Sequence, residues 1–277
     1  MKKIIVPVDF SKHSEYALKA AALLAKKNNS EVYVLHMLDL HEVSMNDSGR
    51  FQQEKAAFFL KLAEKKFKDF LKKDFLKEIH ITPIIKHFKV FSEINEIADK
   101  EDADLIIMGS HGVSGMKEFF IGSNTEKVVR HAKIPVLIVK KEYANLSFGD
   151  VVFASDFSER SVASYKKALK ILKGLESKMH LLYVNTPNEN FKNDLEMEQM
   201  AAHFLNKAEG NLERLDEVNY VCDYSVEKGV LNFANSIGAN LIAVSTHGRK
   251  GLSHIFRGSV SEDLANHSSL PIITFKM

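Results

Sequence analysis

Short apolar runs alternate with amphipathic stretches along the chain. Runs such as Leu105–Met108 are apolar throughout, as is typical of strands in a parallel sheet that helices cover on both faces. In the first half the pattern predicts five strands, at residues 2–8, 31–38, 79–86, 104–109 and 135–140. Between these strands it predicts four helices, at residues 12–28, 51–77, 92–101 and 123–132.

The second half repeats this plan. Its apolar runs predict strands at residues 150–155, 178–185, 219–225, 241–245 and 271–275. Strict alternation of strands and helices is typical of doubly wound α/β sheets. The sequence therefore predicts two tandem doubly wound α/β domains, each with a five-stranded parallel sheet. The predicted boundaries are 1–141 for the first domain, 142–148 for a linker and 149–277 for the second domain.

Two landmarks indicate that the halves are copies of one unit. An Asp-Phe-Ser sequence ends the first strand of each half, as VPVDFS at residues 6–11 and FASDFS at residues 153–158. A glycine-rich loop follows the fourth strand of each half, at residues 109–124 and 245–260. Both landmarks occur in the same order, which two unrelated domains would not share.

Composition and charge narrow the class of protein. Of the 277 residues 45% are apolar and 27% charged, which is ordinary for a globular protein. The net charge of +2 is too small to indicate nucleic-acid binding. No apolar run approaches the ~20 residues that span a bilayer. The single Cys222 excludes an intrachain disulfide, and Asp9 comes too early for a signal peptide. We therefore expect a cytoplasmic protein that binds neither nucleic acid nor membranes.

The two glycine-rich loops carry the candidate chemistry. Glycines leave backbone N–H groups uncovered, and the start of the following helix attracts anions, so the loops suit phosphate oxygens. The same residues also fit a turn followed by a capping box, Ser123-x-x-Glu126 and Ser259-x-x-Glu262, which needs no ligand. The pattern alone leaves both interpretations open. The nine-residue spacer before Gly122 is longer than a tight turn needs and leaves room for a ligand.

The spacing Gly109-x2-Gly112-x9-Gly122-Ser123, with LIIM before it and VPVDFS upstream, resembles the nucleotide-binding signature of the universal stress protein family. The likeness extends over both halves, so the whole chain resembles a tandem universal stress protein. This resemblance implies the fold of the adenine nucleotide alpha-hydrolase-like proteins. It also implies that the ligand is ATP, AMP or a related adenine nucleotide, with Mg²⁺ as the ion that would accompany ATP. The implied role is that of a nucleotide-dependent regulator or sensor in a stress response.

The resemblance also implies two sets of nucleotide-binding residues. In the first copy, the adenosine side would consist of Pro7, Val8, Asp9 and Met37. The ribose and phosphate side would consist of Met108, Gly109, His111, Gly112, Gly122, Ser123, Asn124 and Thr125. The corresponding residues of the second copy are Asp156, Val184, His247, Gly248, Gly258, Ser259, Val260 and Ser261.

The second copy departs from the motif at its first glycine, where Ser245 stands. We expect its Cβ to fit that backbone poorly or to crowd a phosphate. Positive charge is added beside this loop by Arg249, Lys250 and Arg257.

Two other functions stay open from the sequence. One is a slow ATPase or other nucleotide-hydrolysing enzyme, and the other is a structural or interaction module that binds no nucleotide. No catalytic residue is predicted, since no Ser or Cys nucleophile pattern accompanies His111 or His247. No metal site is predicted either, since the histidines lack an H-x3-H or cysteine-paired spacing.

The last strand of each copy is apolar and would leave an unpaired edge, at residues 135–140 and 271–276. We expect these edges to pair, which would make the chain an intramolecular pseudo-dimer. A homodimer of two such chains is a further possible assembly.

Overall fold

The computed structural model describes residues 1–38, 49–87, 90–111, 122–143, 148–187, 191–246, 264 and 267–277. The chain divides into two compact units. The first consists of Met1–Glu118, Gly122–Val128 and Val139–Leu146, and the second of Phe119–Ile121, Val129–Ile138 and Ser147–Met277. The domain boundaries 1–141 and 149–277 and the linker 142–148 stay a prediction.

The described residues form ten β-strands and seven α-helices, which alternate along most of the chain. In the first half these are β1 (Lys3–Val8), α1 (Lys12–Asn28), β2 (Glu31–Leu38), α2 (Gly49–Phe70), β3 (Ile81–His87), α3 (Val90–Glu101), β4 (Leu105–Gly109), α4 (Ser123–His131) and β5 (Val136–Val139). In the second half they are β6 (Asp150–Ala154), α5 (Ser161–Lys173), β7 (Lys178–Asn185), α6 (Asp194–Glu209), β8 (Asn219–Cys222), α7 (Val226–Ser236), β9 (Leu241–Thr246) and β10 (Ile272–Lys276). Short 3₁₀ helices follow α2 and α6, at Asp74–Leu76 and Leu215–Glu217.

Four parallel strands form the sheet of the first unit, in the order β3-β2-β1-β4. The central strand β1 is buried through Ile4, Ile5 and Val6, each with no exposed surface. The chain runs outward from β1 to β2 and β3 and then returns to the other side of β1 for β4. The connection order therefore reverses between β1 and β4, which is where ligands bind in doubly wound sheets.

Five parallel strands form the corresponding sheet of the second unit, in the order β10-β9-β6-β7-β8. Strand β5 adds to this sheet in the antiparallel direction, with Ile138 opposite Ile272 and Val136 opposite Thr274. This pairing of two apolar strands removes their unpaired edges, while the pseudo-dimer of the two domains stays a prediction. The mostly parallel α/β class predicted from the sequence is confirmed.

The predicted helix at residues 51–77 is too long. Helix α2 ends at Phe70, and Lys73 is extended, with φ −125° and ψ 137°, before the short 3₁₀ helix. In a continuous helix Leu76 would lie on the opposite side from Phe67, because nine residues turn the helix by about 900°. The break returns Leu76 to the core, where it is 7% exposed and Phe67 is 3% exposed.

The predicted strand at residues 219–225 is also too long. Strand β8 ends at Cys222, because Ser225 serves as the N-cap of α7 and accepts a hydrogen bond from the Lys228 N–H at 3.2 Å. The other predicted strands and helices agree with the structure to within about three residues. No helix in the described part of the chain is long and apolar enough to cross a membrane.

Candidate functional site

Strand β1 stops hydrogen bonding to β4 before its carboxyl end. Their ladder pairs Ile4 with Leu105 and Ile5 with Ile106 and goes no further, whereas β1 remains paired with β2 as far as Val8 and His36. Pro7 lies just beyond the end of the β1–β4 ladder and has no N–H to donate to a neighbouring strand. The carboxyl ends of β1 and β4 lie where the connection order reverses, which is where ligands bind in sheets of this type. We call this region between the ends of β1 and β4 the first crevice.

Asp9 lies in the turn between β1 and α1, at the rim of the first crevice. Its Oδ1 accepts a hydrogen bond from the Ser11 N–H at 3.0 Å. Ser11 in turn is the N-cap of α1 and accepts from the Ser14 N–H at 3.2 Å. The turn therefore holds the Asp9 carboxylate in a defined place before the helix starts.

Phe10 fixes the other side of this turn. Its φ is +64°, which directs its ring onto His36 at 4.3 Å and Phe67 at 5.7 Å between ring centroids. Burial lowers the pKa of His36, partly opposed by a hydrogen bond to Val8 and the charge of Asp9. His36 is therefore neutral at pH 7, and its Nδ1 donates to the Val8 carbonyl oxygen at 2.9 Å.

Gly109 ends β4 directly under α1. A β-carbon at this position would lie 2.6 Å from both the carbonyl carbon and the carbonyl oxygen of His13. The φ of Gly109 is not in the left-handed region. Glycine is therefore needed here because α1 approaches closely, and not because of a special backbone conformation.

Three hydrogen bonds join the end of β4 to the start of α4. The Gly122 N–H donates to the Ser110 carbonyl oxygen at 2.7 Å, and the buried Thr125 hydroxyl donates to the Gly109 carbonyl oxygen at 2.9 Å. The Ser110 N–H donates to the Val139 carbonyl oxygen at 3.0 Å. These bonds bring Gly109, Gly122 and Thr125 together although the loop between them is long.

The start of α4 lies at this junction. The first intrahelical bond runs from the Glu126 N–H to the Gly122 carbonyl oxygen, at 3.0 Å, so Gly122 is at the cap position and Ser123 is the first helical residue. The alternative interpretation, a capping box of Ser123 and Glu126, needs Ser123 as the cap, whereas Ser123 is the first helical residue here. The exposed Ser123 and Asn124 instead supply the free N–H groups of a helix start, to which anions bind.

The sequence also matches a known protein family. The model of the universal stress protein family matches residues 1–140 and 147–276. The chain belongs to the universal stress protein family. It carries two copies of the family's domain in tandem, as the sequence predicts.

Individual relatives agree with this membership. Universal stress protein MJ0577 of Methanocaldococcus jannaschii is 34% identical over 157 residues, which cover 51% of this chain and 96% of the relative. Universal stress protein Slr1230 of Synechocystis is 25% identical over the full length of both chains. The crystal structure of a universal stress protein from Archaeoglobus fulgidus has a TM-score of 0.68 at 23% identity, covering 99% of this chain and 98% of that one.

In this universal stress protein, several of the first-copy residues expected to contact nucleotide lie along the first crevice. Val8 and Met108 are 5% and 6% exposed and Pro7 is buried, whereas Met37 at the end of β2 is partly exposed. The His111 Nδ1 lies 2.9 Å from the Ser110 hydroxyl oxygen, and the His111 ring lies 5.1 Å from that of His13.

Part of the predicted site lies outside the described residues. This part consists of Gly112, His247, Gly248, Gly258, Ser259, Val260 and Ser261, together with Glu262 and the basic residues Arg249, Lys250 and Arg257. In the described part of the chain no group of three His, Cys, Asp or Glu side chains could hold a metal ion.

The second copy repeats the turn after its first strand. Asp156 Oδ1 accepts from the Ser158 N–H at 3.0 Å, and Phe157 has a φ of +53°. The strain expected at Ser245 is not found, since its φ is not positive and its hydroxyl lies 2.6 Å from that of Ser164 on α5. The backbone therefore accommodates the Ser245 Cβ, while the expectation that this Cβ would crowd a phosphate stays a prediction.

Sequence reasoning missed the residues that support the site from other elements. His13 and Val139 contact the end of β4, and Phe10 and His36 fix the turn that carries Asp9. The one available signal was the DFS sequence, because an Asp followed two residues later by a helix-capping Ser is typical of such a turn. No local pattern indicates His13 or Val139, since their contacts form only in the folded chain.

Proposed function

We propose that the chain binds an adenine nucleotide, ATP in the first place, in the first crevice and acts as a nucleotide-dependent regulator or sensor in a stress response. The observation that carries this proposal is the free helix start at Gly122 and Ser123, which hydrogen bonds hold against the end of β4, where the connection order of the sheet reverses. Membership of the universal stress protein family supports it.

The adenosine half of the nucleotide would lie at the ends of β1 and β2. The Asp9 carboxylate can accept hydrogen bonds from ribose hydroxyls, because its turn holds it at the rim of the crevice. Met37 offers a polarizable apolar side chain to the base, and the buried Pro7, Val8 and Met108 close the floor below it.

The phosphates would lie at the start of α4. The free N–H groups of Ser123, Asn124 and Thr125 and the Ser123 hydroxyl are donors suited to phosphate oxygens. The Thr125 hydroxyl is committed to the Gly109 carbonyl oxygen, so Thr125 would contribute its backbone only. His111 and Gly109 would complete the cradle from the end of β4, and Gly112 would extend it.

Magnesium would enter with the nucleotide and not through a protein site. The described residues do not form a group that could hold a metal ion, so the donor set does not fit a resident Mg²⁺. Mg²⁺ keeps several waters when it is bound through phosphate oxygens, and it would therefore need few or no protein ligands.

Calorimetric titration with ATP tests the proposal. Wild type should bind ATP, and Gly122→Val should lose roughly 10- to 150-fold in affinity, because a side chain at the helix start removes at least one charge-assisted hydrogen bond. Gly174→Ala, at the far end of α5, is the matched glycine control and should bind as wild type does. Circular dichroism establishes that each variant is folded. An affinity that Gly122→Val leaves unchanged would refute the site.

A further inference from the structure

The outward face of helix α2 carries two large apolar side chains. Phe58 is 64% exposed, and Leu62, which follows one turn later on the same side, is 38% exposed. The buried Phe67, whose ring contacts that of Phe10, lies about 140–180° around the helix from both. The packing of α2 against β2 and β3 therefore leaves Phe58 and Leu62 in contact with solvent.

Exposed lysines flank these two apolar side chains, namely Lys61, Lys65, Lys66 and Lys68. On the helix, Lys61 and Lys65 lie on one side of the line from Phe58 to Leu62, and Lys66 lies on the other side. Within the described part of the chain, no carboxylate lies at ion-pair distance from any of the four lysines. We call Phe58, Leu62 and these four lysines the α2 surface.

Positive charge is concentrated in this segment of the chain. Residues 49–73 contain eight Lys or Arg residues and three Asp or Glu residues, which gives a net charge of +5, whereas the whole chain has +2. The Asp69 carboxylate accepts a hydrogen bond from Lys72 Nζ at 2.9 Å. Its pKa is lowered by that bond and by the charge of Lys72, and to a smaller extent by Lys65 and Lys68. The acidic residues of α2 therefore do not cancel the positive charge of the α2 surface.

Apolar side chains between lysines suit the surface of an anionic lipid bilayer. An exposed Phe and Leu can enter the boundary between head groups and acyl chains, while long lysine side chains reach back to the lipid phosphates. A nucleic acid fits these residues less well. Leucine has no ring on which a base could stack, and lysine lacks the planar fork with which arginine binds phosphates and base edges.

We propose that the α2 surface docks on an anionic lipid bilayer, with Phe58 and Leu62 inserted and the four lysines at the lipid phosphates. This proposal goes beyond nucleotide binding and does not depend on it. It departs from the expectation that the protein does not bind membranes. That expectation follows from the net charge of the whole chain and from the absence of a long apolar run, whereas docking needs only a local concentration of lysines beside exposed apolar side chains.

Co-sedimentation with lipid vesicles tests the proposal on the full-length protein. At low ionic strength the protein should sediment with vesicles of phosphatidylglycerol and phosphatidylcholine but not with phosphatidylcholine alone, and added salt should release it. Lys61→Gln combined with Lys65→Gln should lower the partition coefficient roughly 30-fold, since each lysine near an anionic surface contributes about fivefold. The control is Lys166→Gln combined with Lys170→Gln, which removes two exposed lysines at the same spacing from α5 and should leave the partition coefficient nearly unchanged.

Phe58→Ser tests the apolar part of the α2 surface. It should lower the partition coefficient about 10-fold or more, because the side chain that leaves water on docking is lost. Phe191→Ser is the matched control, since Phe191 is 58% exposed and lies before α6, and it should partition as wild type does. Circular dichroism establishes that each variant is folded.

Fluorescence shows whether the side chain at position 58 enters the bilayer. The chain contains no tryptophan, so Phe58→Trp introduces a single probe. Its emission should shift to shorter wavelength when phosphatidylglycerol vesicles are added, and brominated lipids should quench it, whereas the emission of Phe191→Trp should not change.

Three results would overturn the proposal. They are no sedimentation with anionic vesicles, equal sedimentation with phosphatidylcholine alone, and equal losses in the α2 variants and their controls. Binding of a single-stranded oligonucleotide that only the α2 lysine variant weakens, without binding to vesicles, would assign the surface to nucleic acid and would also overturn it. None of these results bears on ATP binding in the first crevice, which the calorimetric titration tests separately.

Discussion

A β-carbon on Gly109 would lie 2.6 Å from the carbonyl carbon of His13, a distance at which non-bonded carbons overlap. The first glycine of the loop motif is therefore a packing residue of the β4–α1 contact. This role exists whether or not a nucleotide is present. The glycine at position 109 is therefore explained by packing alone and gives no information on what binds beside it.

Gly109→Ala should destabilise the fold by about 1–3 kcal/mol, because either α1 or the end of β4 must shift to accommodate the new methyl group. Chemical denaturation monitored by circular dichroism measures this. Gly174→Ala is the control, since Gly174 has an αR backbone with φ −67°, and it should change the free energy of unfolding by less than about 0.5 kcal/mol. Equal stability of Gly109→Ala and wild type would mean that the contact with His13 yields without cost.

Ser123→Ala should cost less than about 0.5 kcal/mol of stability, because Gly122 and not Ser123 is at the cap position of α4. Ser11→Ala is the matched comparison, since Ser11 is a true N-cap, and it should cost ~1 kcal/mol. Ser123→Ala should nevertheless weaken ATP binding roughly 10-fold if its hydroxyl contacts a phosphate. A stability loss as large as that of Ser11→Ala, with no loss of affinity, would restore the capping interpretation.

These two glycine-loop residues show what the sequence can and cannot predict. Apolar runs such as Leu105–Met108 located the strands, because burial on both faces leaves a continuous apolar stretch. The repeat of Asp-Phe-Ser predicted that the halves are copies of one unit, and both copies form the same turn because an Asp side chain accepting the N–H two residues on is a local interaction. The sequence could not predict that Gly109 packs on His13, nor that α2 breaks before Leu76, because both depend on elements distant along the chain.

His36 should make stability depend on pH. Its pKa is lowered in the folded protein, chiefly by burial, so between that value and the ordinary 6.5 the unfolded chain binds more protons. Stability should therefore rise with pH through this window and fall as the pH is lowered below about 6.5. The second copy has a tyrosine, Tyr183, at the position that His36 occupies in the first copy. The melting temperature of His36→Tyr should therefore fall less on acidification than that of wild type.

The exposed His80 is the control for this experiment. His80→Gln should keep the wild-type dependence of melting temperature on pH, because its ring is not buried against Phe10 and Phe67 as that of His36 is. Parallel pH profiles for wild type and His36→Tyr would show that other groups control the acid sensitivity.

Bound ATP should be retained and not turned over rapidly. Phosphoryl transfer needs a group that orients the attacking water and usually a metal held by carboxylates. Among the described residues, Asp9 is an acidic residue at the rim of the first crevice, and its Oδ1 already accepts the Ser11 N–H. Phosphate release by the purified protein should stay below ~1 s⁻¹, and a rate in the range ~1–1000 s⁻¹ would instead favour an ATPase.

The contact between Gly229 and Val184 allows a direct test of how closely α7 packs on β7. Gly229→Ala should destabilise the protein by about 1–3 kcal/mol, because the new methyl group would lie 2.5 Å from Val184 Cγ1 and 3.0 Å from Cγ2. In a Val184→Ala background both methyl groups are absent, so the same substitution should cost less. The double-mutant cycle should therefore give a coupling free energy of about 1 kcal/mol or more.

Gly174→Ala combined with Val184→Ala is the control and should be additive, since nothing but the backbone of its own helix lies within 4 Å of a β-carbon at Gly174. Additivity for Gly229 as well would mean that α7 does not rest on Val184.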